Sequence, residues 1–122
     1  MRFPYREFKR FMPGVVASLS LLGVVIVLLL VSMDDNEAPH ASIIAYPEDV
    51  SVGETVTFDG TGSSDPDGDE IEFIWTIDGT MTTHEPNFTY SFTESGTHTI
   101  VLQVKDENGN YDTETVLLDV KE

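Results

Sequence analysis

Hydrophobic and polar positions follow two unlike patterns along this chain. Residues 11–33, FMPGVVASLSLLGVVIVLLLVSM, contain no charged side chain. At ~1.5 Å per residue a helix of that length covers the ~30 Å hydrocarbon core of a bilayer, so the run predicts a transmembrane helix. After a polar linker over residues 34–40, the pattern changes to short alternating runs set apart by turn residues, which predicts strands. Ala41–Tyr46 is the first run, closed by Pro47, and Glu54–Asp59 is the second, closed by GTGSSDPDGD. Glu70–Ile77 places Ile71, Phe73, Trp75 and Ile77 on one face and Glu70, Glu72 and Thr76 on the other. Asn87–Phe92 is a weaker run. Thr97–Lys105 turns His98, Ile100, Leu102 and Val104 inward, and Tyr111–Val120 turns Val116, Leu118 and Val120 inward. Between these two, Asp106–Asn110 contains Asn108-Gly109, the signal of a tight hairpin. Six or seven short strands in about 80 residues, with a tryptophan on a central one and no helix signal, predict an all-β, two-sheet sandwich of immunoglobulin type over residues 41–122.

Charge divides at the same boundary. The 122-residue chain has 22 acidic and 6 basic side chains, a net charge of −16. Arg2, Arg6, Lys9 and Arg10 precede the apolar run against Glu7 alone, whereas only Lys105 and Lys121 follow it, among 21 acidic groups. Lysine and arginine ahead of a span hold that end in the cytoplasm. Residues 1–10 are therefore expected to be a cytoplasmic tail, and the acidic domain to lie outside a plasma membrane crossed once. Phe3, Tyr5, Phe8 and Phe11 alternate with the cations, which suits the headgroup region. A cleaved secretory signal has a shorter apolar region and a small-x-small site, and Val31-Ser32-Met33-Asp34 offers none, which favours an uncleaved signal anchor. A pilin-like segment packed into a filament core is a further alternative. So acidic a domain repels phosphate backbones and excludes nucleic acid as its main partner. A chain without cysteine cannot be a disulfide scaffold. The scarcity of lysine has two readings, solvation of a small surface domain and adaptation to high salt.

Several segments, in order, resemble the polycystic-kidney-disease (PKD) domain family. They are Pro39-His40-Ala41, then Gly53-Glu54-Thr55-Val56-Thr57-Phe58-Asp59-Gly60, then Ser63-Ser64-Asp65-Pro66-Asp67-Gly68-Asp69. Trp75 stands where the family has its core tryptophan. Phe88-Thr89-Tyr90, Gly96-Thr97-His98-Thr99-Ile100 and Val104-Lys105-Asp106-Glu107-Asn108-Gly109 resemble the segments of its second half. One departure follows the tryptophan, where Thr76-Ile77-Asp78-Gly79 replaces the family's longer Asp-Phe-Gly-Asp-Gly turn. The resemblance implies an extracellular β-sandwich that makes protein or carbohydrate contacts or serves as a spacer, without catalytic activity.

Asp65, Asp67 and Asp69 place three carboxylates at alternate positions of one turn, a hard-oxygen cluster suited to calcium. An EF-hand is excluded, because Glu70 stands where that loop needs glycine and Thr76 where it needs its closing glutamate. Asp-Pro and Asp-Gly also build turns with no metal. The resemblance implies a calcium site where the linker meets this loop, which would recruit Asn36 or Glu37 and Asp106. No pair among His40, His84 and His98 has a zinc-ligand spacing. Ser63 and Ser64 lack a glycine-flanked elbow, and no nucleophile, base and orienting group can be named together, so no enzyme is expected. Asn87-Phe88-Thr89 is an N-glycosylation sequon. The expected function is a membrane-anchored, cell-surface binding or scaffold module that meets an envelope protein or a glycan. The alternative is a structural subunit of a surface filament or secretion complex, with the helix as its assembly core.

Overall fold

The computed structural model describes residues 35–122 and, before them, only the backbone of β1 (Val16–Leu21) and β2 (Val24–Leu29), which pair antiparallel. The expected cytoplasmic tail and the rest of the expected membrane helix over 11–33 lie outside the described residues. No helix among the described residues is long and apolar enough to cross a membrane. The chain forms two compact units, Met1–Asn36 and Glu37–Glu122.

The second unit is a two-sheet β-sandwich. Its strands are β3 (Ile44–Tyr46), β4 (Val50–Ser51), β5 (Thr55–Asp59), β6 (Glu72–Ile77), β7 (Met81–Thr83), β8 (Asn87–Ser91), β9 (Gly96–Lys105) and β10 (Tyr111–Lys121). One sheet has the order β4-β10-β9-β6-β7, the other β3-β5-β8. Neighbours are antiparallel except β4 and β10, which run parallel. The alternation read from the sequence places the core: Val56, Phe58, Trp75, Ile77, Ile100, Leu102, Val104, Leu118 and Val120 are buried between the sheets. Aromatic packing fills the centre, with Phe58 stacked on Phe88 at 5.3 Å and Phe88 edge-on to Trp75 at 5.2 Å. The Trp75 indole N–H, which would be costly to leave unpaired, donates to the Glu85 carbonyl at 2.9 Å. Gly60 allows the chain to pass over this tryptophan, since a Cβ there would lie 2.9 Å from Trp75 Cζ2.

Three local expectations are corrected. β4 and β7 are too short to carry an alternating signal, so the periodicity missed them. Asn108-Gly109 does not form a two-residue hairpin: Lys105 pairs with Tyr111 and Asp106–Asn110 is a longer loop, because the Asp106 carboxylate accepts the N–H groups of Asn108 and Asn110, both at 2.8 Å. The run expected at Ala41–Tyr46 is a strand only from Ile44. Before it, the Asp112 carboxylate accepts Ala41 N–H at 2.9 Å and the Glu114 carboxylate accepts Ile43 N–H. Ser42 N–H donates to Ser63 Oγ at 2.9 Å, and His40 exchanges backbone hydrogen bonds with Ser64. Side chains therefore replace a strand ladder along the stretch by which the chain enters the domain. The shortened turn after Trp75 is built by Asp78 and Gly79, at φ 49° and 71°. Positive φ at both positions matches the right-handed twist of a β-hairpin, and aspartate tolerates it better than most residues.

Candidate functional site

Two regions of the domain concentrate chemistry. The first is the loop end of the sandwich. Asp65, Asp69 and Asp106 offer carboxylate oxygens that all lie within 4.8 Å of one another, the one such group among the described residues. The local sequence builds this arrangement. Asp65 Oδ1 accepts the N–H groups of Asp67 (2.8 Å) and Asp69 (3.3 Å), folding the turn back on its own side chain, and Gly68 takes the positive φ (76°) that the reversal requires. Asp106, 5% exposed, belongs to the loop after β9 and is fixed by its bonds to Asn108 and Asn110. The carboxyl of Asp69 titrates above its ordinary range, first because it is partly withdrawn from water and then because Asp65, Asp67 and Asp106 crowd it with negative charge.

The residues expected to hold calcium thus divide. Asp65, Asp69 and Asp106 converge, although Asp106 is forty residues or so along the chain from the turn. Asp67 instead accepts the backbone N–H of Glu37 at 2.7 Å, fastening the start of the domain to the turn. Asn36 belongs to the preceding unit. One observation bears directly on fit to a cation: Asp65 Oδ2 is buried and has no hydrogen-bond partner. An orphaned carboxylate oxygen facing two more carboxylates is a poor arrangement unless a cation completes it. Hard oxygens of this kind suit calcium, with further oxygens from water or main chain.

The second region is the outer face of the five-stranded sheet. Register places Ile74, Gln103 and Thr113 in one outward row, Thr82, Thr76, Val101 and Thr115 in the next, and Thr99 beside Leu117 in a third. None of these side chains is charged, in a domain with 19 acidic groups. Charges return at the ends of the face, where Glu72, Lys105 and Tyr111 form one row and Asp119 closes the other. Leu117 is 66% exposed and Tyr111 60%. Beside the charged row lies an open groove of about 400 Å³ with Glu70, Glu72, Phe73, His84, Lys105 and Glu107 in its walls. Strand alternation was legible in the sequence, but the charge-free face was not, because it comes from side-by-side register across strands far apart in the chain.

The remaining candidates have separate, local roles. His98 Nδ1 meets Asp78 Oδ2 at 2.6 Å and its Nε2 meets the Glu94 carbonyl at 2.9 Å, while its ring lies 4.3 Å from that of Phe92. An acceptor at each nitrogen favours the imidazolium form, in which both nitrogens carry hydrogen. Its pKa is raised, chiefly by the Asp78 carboxylate, against the opposing effect of burial. His84 sits 3.5 Å from Glu72, and His40 pairs with Ser64. Ser63 Oγ is occupied with the backbone of Ser42. Asn87 and Thr89 are exposed on β8.

Known proteins share this domain. Collagenase ColA of Clostridium perfringens is 32% identical over 87 residues, 71% of this chain and 8% of the collagenase. The solved PKD1 domain of the metalloprotease PrtV of Vibrio cholerae is 29% identical with a TM-score of 0.60, and the alignment spans 70% of this chain and all of that domain. A solved structure of carbohydrate-binding modules from the β-sandwich superfamily, described as promiscuous in specificity, is 28% identical with a TM-score of 0.68 and covers 72% of this chain and 36% of that one. The chain spans under a tenth of the collagenase it matches, so the likeness concerns the domain and not the enzyme around it. The PKD domain family matches residues 36–120, Asp67, Trp75 and the loop of Asp106 included, and the chain belongs to that family.

Proposed function

We propose that this protein is a non-catalytic recognition module held at the outer surface of a membrane by its N-terminal segment, and that the outer face of its five-stranded sheet meets a protein or glycan partner. The observation that carries this reading is the charge-free face on a strongly acidic domain. Binding strips water from the centre of an interface, and stripping it from unpaired carboxylates is costly, so interface centres are poor in charge. A partner without strong negative charge can reach this face, whereas the acidic loops repel an acidic one. Likeness to carbohydrate-binding modules supports a glycan, and membership of a family found in collagenases and metalloproteases supports contact with proteins.

Anchoring rests on the apolar run and the basic end. Among the described residues β1 and β2 pair only with each other, and hydrocarbon does not tolerate the open edges of a two-stranded ribbon. In a bilayer the segment satisfies its backbone as a helix. The test is crosslinking on intact cells with the natural chain and with Leu117→Glu, which places a charge on an exposed position of the face. The partner captured by the natural chain is expected to be lost in the variant while the fold persists. An unchanged set of crosslinked products overturns the face as the contact. External protease should release the domain from intact cells, and a protected domain overturns the topology. The filament reading predicts instead a large assembly that survives detergent.

Calcium is proposed as a staple at the loop end, held by Asp65, Asp69 and Asp106. The support is the buried, unpartnered Oδ2 of Asp65, a residue whose carboxylate gathers within 4.8 Å of those of Asp69 and Asp106. When bound, the ion would offset the mutual repulsion of the three carboxylates.

A further inference from the structure

We propose that Asn87 carries an N-linked glycan, and that this glycan covers the free edge of β8 and the outer face of the three-stranded sheet. The sequon alone is a three-residue pattern, and the structure adds three independent observations. First, Asn87 and Thr89 alternate along an extended strand and so project from the same face, both exposed. Neither side chain is tied up in a hydrogen bond, so the acceptor amide and the sequon hydroxyl are both free. Second, β8 ends its sheet: β5 lies on one side and no strand among the described residues on the other. Its sequence, Asn-Phe-Thr-Tyr-Ser, has no charge and no proline. Such an edge is open to pairing with another chain unless something covers it. Phe88 stacks on Phe58 and Tyr90 packs on Phe92, so the strand is pinned and its edge stays presented. Third, register places Asn87 beside Asp59, with Ile44 beyond it, and Thr89 beside Thr57, with Tyr46 beyond. Tyr46 is 72% exposed and Ile44 59%, so a glycan rooted at Asn87 can reach across Asp59 and Thr57 to two exposed apolar side chains.

The two sheets then divide the work: one face is shielded by sugar and the other is left bare for a partner. The co-substrate is a saccharide linked through phosphate or pyrophosphate to a lipid. Asn87 Nδ2 bonds to the anomeric carbon, the bond from that carbon to the phosphate oxygen breaks, the oxygen keeps the electron pair, and the amide proton passes to a base of the transferase. The proposal rests on the outward topology proposed above. Its test is mass spectrometry of the Asn87 peptide from the full chain, purified from its own cells after protease accessibility has been recorded. A saccharide mass on Asn87 is expected, retained in Thr89→Ser and absent in Thr89→Ala and Asn87→Gln. An unmodified peptide from a protease-accessible domain overturns the glycan alone. An unmodified peptide from a protected domain overturns the topology, and the glycan with it.

Discussion

Aspartates stand at both ends of the five-stranded sheet, and the two ends treat them in opposite ways. Beside the turn after β6, the Asp78 carboxylate has the His98 imidazolium on one oxygen and the Thr99 N–H on the other, at 2.6 and 2.9 Å. Its pKa is lowered, first by the hydrogen bond from His98. At the far end, Asp65, Asp69 and Asp106 bring carboxylate oxygens within 4.8 Å of one another, and the carboxyl of Asp69 is raised by its partial withdrawal from water and by its acidic neighbours. At one end a carboxylate meets a histidine of the same domain, and at the other carboxylates crowd one another. The same residue type thus serves as a structural clasp at one end and, on the calcium proposal, as a cation receptor at the other.

The largest effect is expected from removing the built-in cation. His98→Ala leaves Asp78 and the Glu94 carbonyl without their charged donor and opens space beside Phe92. Hydrogen bonds to charged groups contribute roughly 1.5–3 kcal/mol, so a loss of about 2–3 kcal/mol is expected in urea unfolding of the domain. The same clasp sets a pH dependence. The pKa of His98 is raised above its ordinary 6.5, so its contribution is full below about that pH and is lost as pH rises through the folded value. The pKa of Asp78 is lowered from 3.8, so its contribution is full above about that pH and is lost as pH falls through the folded value. The clasp end is therefore strongest between those limits, and a stability profile that keeps rising above pH 7 in the natural chain but not in His98→Ala contradicts it. Next in size is Gly60→Ala at the root of the acidic loop. Its new methyl meets Trp75, Leu102 and Phe73 at 2.9, 3.1 and 3.2 Å, and overpacking of this kind costs roughly 1–3 kcal/mol. The calcium response at that end should weaken with it, and an unchanged urea midpoint would show that the loop moves freely over the tryptophan.

Calcium sharpens the comparison from the other side. Extracellular modules often bind it with dissociation constants of ~10⁻⁴–10⁻³ M, which at a few millimolar calcium corresponds to about 1–2 kcal/mol of added stability. The melting temperature should rise with calcium and fall back with EDTA, and Asp69→Asn should abolish the rise. Because ionisation of Asp69 is disfavoured in the fold, the same variant should be more stable than the natural chain in EDTA. If neither calcium nor EDTA moves the melting temperature of the natural chain, there is no staple.

The clasp and the receptor differ in how far they could be read from the chain. The sandwich was legible because alternation along β5, β6, β9 and β10 is a local pattern, and His98 was placed in the core by its spacing from Ile100 and Leu102. The acidic turn was legible as a cluster because Asp65, Asp67 and Asp69 are neighbours in sequence. That Asp67 turns away to hold Glu37 was not, since strict alternation puts all three on one footing and only the bond from a residue thirty positions earlier separates them. The partnership of His98 with Asp78 was hidden for the same reason: one member lies on β9 and the other in the turn after β6, and their adjacency depends on how those strands pair. β4 and β7 hold too few residues to show a period at all. Long strands announce themselves, whereas the side chains that settle charge are matched across the fold.

Asp112 lies between the two extremes and offers the smallest, most discriminating test. His40 acts on it only as the smallest of its influences, unlike His98 on Asp78, and none of the causes of its shift is a neighbouring carboxylate, unlike those of Asp69. Its pKa is lowered mainly by the hydrogen bond from Ala41 N–H. It works with Glu114, which accepts Ile43 N–H, to hold the stretch that leads into β3. Asn at position 112 keeps an acceptor oxygen and removes only the charge, so Asp112→Asn is expected to cost less than about 1 kcal/mol, whereas Asp112→Ala, which removes the acceptor, should cost more. A lowered carboxyl contributes stability that is present above about 3.8 and is lost as pH falls through the folded value, so Asp112→Asn should converge with the natural chain in acid while Asp112→Ala, without an acceptor, stays below both. Amide exchange at Ala41 reads the contact directly. Faster exchange in Asp112→Ala but not in Asp112→Asn is the expected result, and equal exchange in all three chains would mean that the entering stretch is held by the His40–Ser64 bridge and not by the carboxylates of β10.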